Sequence, residues 1–119
     1  MRNKVLVVEM DPKEQRELEM MLLEVAEEGG ELFFAQNRES GLEILNKELP
    51  QLVFLDFALI GENEEEWIHE GVRIVLMCHR DDPYPKDKDV MLKPLKARQV
   101  LEKCRAVLNR EPPSPIPPI

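Results

Sequence analysis

Leu52-Val53-Phe54-Leu55-Asp56 decides the fold. Four consecutive apolar residues that end in an acid read as a buried strand delivering one carboxylate to the rim of a sheet. Two other stretches share the design: Lys4-Val5-Leu6-Val7-Val8 runs into Glu9-Met10-Asp11, and Val90-Met91-Leu92 runs into Lys93-Pro94. In an open parallel α/β sheet, ligands bind beyond the carboxyl ends of the strands. Two acidic strand ends and one lysine can therefore converge on a single pocket, which suits a metal together with a phosphoryl group.

Outward from these strands the chain alternates. Asp11-Pro12 supplies an N-cap and a first-turn proline, and Leu18, Met21, Leu22 and Val25 recur at helical spacing up to Gly29-Gly30, predicting one amphipathic helix. Leu32 to Ala35 reads as a second strand. Asn37 can cap a helix carrying Leu42, Ile44 and Leu45, and Pro50 ends that connection. The order so far is β-α-β-α-β. Glu64 to Glu70 leaves room for a third helix of about two turns before a fourth strand at Val72 to Met77. Between Cys78 and Asp89 lie ten residues, including Pro83 and Pro85, and proline's missing N–H opposes a helix there. The expectation is an extended strap in place of a fourth helix, which would leave the sheet face beside the fourth and fifth strands less covered. Val100, Leu101, Cys104, Val107 and Leu108 then fit the apolar face of a closing helix.

At 119 residues the chain is long enough for one core, with 43% apolar and 34% charged residues. Residues 1–110 read as a single domain. Residues 111–119 hold five prolines and read as an extended tail or linker. No run of apolar residues is long enough for a membrane span and no signal-peptide core is present, so a cytoplasmic location without membrane contact is expected. The formal net charge of −8 argues against direct nucleic-acid binding, which needs a basic face. Cys78 and Cys104 lack metal-ligand spacing and read as reduced core thiols.

Four blocks, Val7-Val8-Glu9-Met10-Asp11-Pro12, Leu55-Asp56-Phe57-Ala58-Leu59-Ile60-Gly61, Leu76-Met77-Cys78-His79-Arg80-Asp81-Asp82 and Met91-Leu92-Lys93-Pro94, resemble the receiver domains of two-component response regulators, the CheY-like superfamily. The resemblance implies an α/β, flavodoxin-like, doubly wound five-stranded parallel sheet of order 2-1-3-4-5, here with a shortened third helix and the fourth missing. It implies that Asp56 accepts a phosphoryl group from a histidine kinase or phosphotransfer protein and that Lys93 contacts the phosphoryl oxygens. It also implies a Lys93-Pro94 cis peptide, and Mg2+ held by Glu9, Asp56 and the Ala58 carbonyl. Asp11 is a further candidate ligand, though a helix-capping role competes. Downstream partners would be another protein or a second copy of the chain.

Several positions depart from that pattern. Met10 stands where the family has the carboxylate that binds metal directly, and a thioether cannot replace a hard oxygen ligand, so Mg2+ binding should be weak or lost. Cys78 occupies the place of the switch hydroxyl, Val90 that of the switch aromatic, and Ile60 that of the proline before Gly61. Two readings follow: an atypical phosphorelay receiver, not an enzyme, or a phosphorylation-independent pseudo-receiver that serves as an interaction module. A third, with Cys78 as nucleophile beside His79, meets the objection that consecutive strand residues face opposite ways. Trp67 and His69 read as packing and surface residues.

Overall fold

The computed structural model describes residues 3–84 and 88–108, so the proline-rich segment 111–119 and Pro85 lie outside the described residues. Five parallel strands, β1 (Lys4–Val8), β2 (Glu31–Ala35), β3 (Leu52–Asp56), β4 (Arg73–Cys78) and β5 (Val90–Leu92), form one sheet in the order β2-β1-β3-β4-β5. The expected order and fold class are thus found. β1 and β3 are buried on both faces because they are central, which is why they read as unbroken apolar runs.

Alternate strand residues feed two cores. Val5, Val7, Leu52, Phe54, Val75, Met77 and Met91 pack against α1 (Pro12–Met21), α2 (Leu23–Glu27) and α4 (Ala97–Leu108). Leu6, Val8, Val53, Leu55, Leu76 and Cys78 face the other way, towards α3 (Arg38–Glu48) and Trp67. Asp11 caps α1 by accepting from Lys13 N at 2.9 Å, and Asn37 caps α3 by accepting from Ser40 N at 2.8 Å.

Three elements differ from the sequence reading. The single first helix is broken at Leu22: Val25 N–H bonds to the Leu22 carbonyl three residues back at 2.9 Å, tightening the chain locally while Leu18, Leu22 and Val25 all stay buried. The third helix is one 3₁₀ turn, Glu64–Trp67, instead of two α turns. Trp67 is buried and its Nε1–H donates to the Ile60 carbonyl at 2.9 Å, so the indole anchors the turn and Ile68 leaves it in an extended conformation. After β4 the described residues form turns held by His79 N to Asp82 Oδ2 at 2.7 Å and Tyr84 N to the Asp82 carbonyl at 2.8 Å, and no helix occurs there. This strap covers more of the sheet than expected. Leu76 and Cys78 are buried and Tyr84 and Val90 pack on their cluster, leaving a shallow groove between Trp67, Ile68, Ile74 and Lys88.

Candidate functional site

The carboxyl ends of β1, β3 and β5 meet at one point. Glu9 follows β1 and extends its pairing, since its N–H donates to the Ala35 carbonyl at 2.9 Å; only 1% of the residue is exposed. Asp56 is the last residue of β3 and is 6% exposed, with Oδ1 accepting from Ala58 N at 3.1 Å as the chain turns into the 3₁₀ segment Phe57–Leu59. Lys93 follows β5, its N–H donating to the Cys78 carbonyl at 2.7 Å, and the Lys93-Pro94 peptide is cis, as the resemblance implied.

Lys93 Nζ lies 2.7 Å from Glu9 Oε1, 2.9 Å from Glu14 Oε2 and 3.5 Å from Asp56 Oδ2, with its side chain almost wholly buried. One ammonium is thus shared by three carboxylates, and the longest contact is the one to Asp56. Burial pushes the Glu9 carboxyl up to about 8, helped by its hydrogen bond to Asp56 and opposed by Lys93. Burial also opposes ionisation of Asp56. There the hydrogen bonds from Glu9 and Ala58 and the charge of Lys93 outweigh it and hold the carboxyl below its ordinary value. Burial likewise opposes the Lys93 charge, but Glu14, Glu9 and Asp56 raise its pKa above the usual lysine value. Burial thus favours the protonated form of Glu9, while their partners favour an ionised Asp56 and a charged Lys93.

Glu14 was not singled out from sequence. It stands three residues after Asp11, the spacing of a capping box, which suggests a side chain folded back on the cap's N–H. Here the Asp11 N–H faces Glu9 Oε2 at 3.4 Å instead, and Glu14 turns to Lys93. Asp11 itself is occupied as the helix cap on Lys13 N. Met10 is 54% exposed and offers no oxygen. Glu9 is engaged with Lys93, and among the described residues no group of three or more His, Cys, Asp or Glu is arranged to hold a metal.

Cys78 ends β4 fully buried, and burial, then the nearby Asp82 and Asp56 charges, raise its thiol to about 11. It stays protonated at neutral pH. His79 beside it is exposed on the following turn, so the two do not form a nucleophile and base. Val90 packs into the second core and supplies no aromatic ring.

At the level of sequence, no protein-family model and no curated protein matches this chain. Solved structures do. A protein assigned as a response regulator from Chloroflexus aurantiacus J-10-fl superposes with a TM-score of 0.72 at 21% identity, covering 92% of this chain and 100% of the other. A response regulator receiver domain protein from Methanospirillum hungatei JF-1 gives 0.70 at 19% identity, over 89% and 93% of the two chains. The chemotaxis protein CheY4 of Vibrio cholerae gives 0.67 at 15%, over 91% and 100%. Sheet order, crossovers and these superpositions together show that this chain has the fold of the CheY-like response-regulator receiver domains.

Proposed function

We propose that this chain is an atypical receiver domain in phosphorelay signalling, a module without turnover of its own, with Asp56 as phosphoryl acceptor and Lys93 as the cation beside it. The observation that carries this reading is the 3.5 Å approach of Lys93 Nζ to Asp56 Oδ2 at the rim of a receiver-like sheet, with Asp56 held ionised. In the reaction a carboxylate oxygen of Asp56 forms a bond to phosphorus as the P–N bond of a phosphohistidine breaks. The imidazole keeps the electron pair and takes up a proton. Ala58 N–H fixes one Asp56 oxygen, and Lys93 offsets the negative charge that spreads over the phosphoryl oxygens. Partners would be a histidine kinase or phosphotransfer protein and a downstream protein. Residues 1–110 would form the domain and residues 111–119 a tail. With Met10 in place of a carboxylate and Glu9 engaged, magnesium would contribute little.

A second reading, the pseudo-receiver, has its own support: Cys78 is a neutral buried thiol, a weak hydrogen-bond donor, and Lys93 is already surrounded by carboxylates. Intact-mass measurement after incubation with acetyl phosphate separates the two. The receiver reading expects one phosphoryl adduct on the parent chain, none on Asp56→Asn, and little change when a chelator replaces magnesium. A folded parent chain without adduct would favour the pseudo-receiver, and equal labelling of both chains would move the acceptor elsewhere.

A further inference from the structure

The contact between Glu14 and Lys93 joins the first turn of α1 to the residue that follows β5. Glu14 lies in the first turn of α1, a third of its side chain exposed, and reaches across to a lysine that stands 79 positions away in sequence. An ammonium has three N–H bonds to give. Glu9 and Glu14 take the two short ones, at 2.7 and 2.9 Å, and Asp56 is left the long contact at 3.5 Å. Glu14 thus sits where an oxygen of an incoming phosphoryl group would compete for the same donor.

We propose that Glu14 is a positioning residue that holds Lys93 on the α1 side of the site and thereby resists phosphorylation of Asp56. The inference rests on the reading of Asp56 as acceptor. Transfer to Asp56 requires Lys93 to turn towards the new phosphoryl oxygens, and that means giving up a charge-assisted hydrogen bond to Glu14. Glu14 also opposes the incoming group as one negative charge opposes another. Lys93 after β5, Glu9 after β1, Asp56 at the end of β3 and Glu14 on α1 meet here, with the Cys78 thiol at the end of β4 and Glu17 on α1 nearby. Glu9 cannot relieve the block, because it is buried on the same ammonium. Glu9, Glu14 and Glu17 all border the small gap beside Lys93 and Leu95, which has room for little more than a water molecule.

The test compares the parent chain with Glu14→Gln and with Glu19→Gln. The second variant removes the same charge from an exposed position of the same helix that does not touch Lys93. Each is checked for folding by circular dichroism, then labelled with acetyl phosphate and titrated with inorganic phosphate by amide chemical shifts. Glu14→Gln should label about ten-fold faster than the parent and bind phosphate several-fold more tightly, while Glu19→Gln follows the parent. Labelling of Glu14→Gln at or below the parent rate overturns the proposal, as does an equal gain in Glu19→Gln. If no chain is labelled, the acceptor reading has failed on its own, and phosphate affinity decides: tighter binding by Glu14→Gln supports Glu14's hold on Lys93, and unchanged affinity refutes it.

Discussion

Glu9 carries more of this protein's pH response than any other residue of the cluster. Its carboxyl, ordinarily near 4.5, is pushed up to about 8 in the fold, chiefly by burial. The folded chain therefore holds this proton more tightly than the unfolded one. The resulting stabilisation is complete below the ordinary value and is lost as pH rises through the folded one. Asp56 works in the opposite sense, adding stability above its ordinary value of 3.8 that is lost only in acid, and the raised Lys93 contributes in full below its ordinary 10.5 and loses that contribution only at still higher pH. Within this cluster Glu9 is the group whose charge changes between about pH 5 and about pH 9, so the thermal midpoint should fall across that range. Glu9→Gln keeps a donor towards Asp56 and an acceptor for Lys93 without a titrating proton, and should flatten the profile; an unchanged slope would show that the proton is held elsewhere. Asp56, Lys93 and Glu9 were legible because each ends an apolar run, and a strand's end fixes where its side chain must stand. Glu14 was not legible. It lies on a helix, and its partner is named only by the fold.

Among the elements, α3 packs tightly against the sheet at Gly41, where the lack of a side chain makes the contact possible. A Cβ at Gly41 would lie 2.9 Å from Val8 Cγ1 and 3.0 Å from Trp67 Cη2, both on fully packed side chains. Gly41→Ala should improve helix propensity by about 1 kcal/mol yet lose more to overpacking, for a net destabilisation of about 1–2 kcal/mol in urea unfolding followed by circular dichroism. A variant as stable as the parent would mean that α3 can move off β1 at no cost. The same contact explains what sequence patterns missed. Strands buried on both faces announce themselves by apolar runs, and Asp11 and Asn37 announce helix starts by their capping chemistry. The break at Leu22 and the single turn at Glu64–Trp67 do not. Both arise from where Leu22 and Trp67 must pack, which depends on a distant part of the chain. The strap was readable from its prolines, but its covering of Leu76 and Cys78 was not, because that is the work of Tyr84 and Val90 from the two sides.

For the molecule as a whole, the two cores on either side of one sheet account for nearly every apolar residue named from the sequence, from Val5 to Val107. Removing residues 111–119 should therefore leave urea unfolding within about 0.5 kcal/mol of the full chain, as measured by circular dichroism. A larger loss would show that the proline-rich end packs on the domain and would overturn the boundary at residue 110. Trp67 has a further consequence. It is the chain's single tryptophan, buried in the second core, with its indole N–H on the Ile60 carbonyl, and Ile60 in turn bonds back to Phe57, the residue that follows Asp56. The protein thus carries a built-in chromophore wired to the turn that follows Asp56, and a shift in its ultraviolet emission would report movement of that turn without any added label.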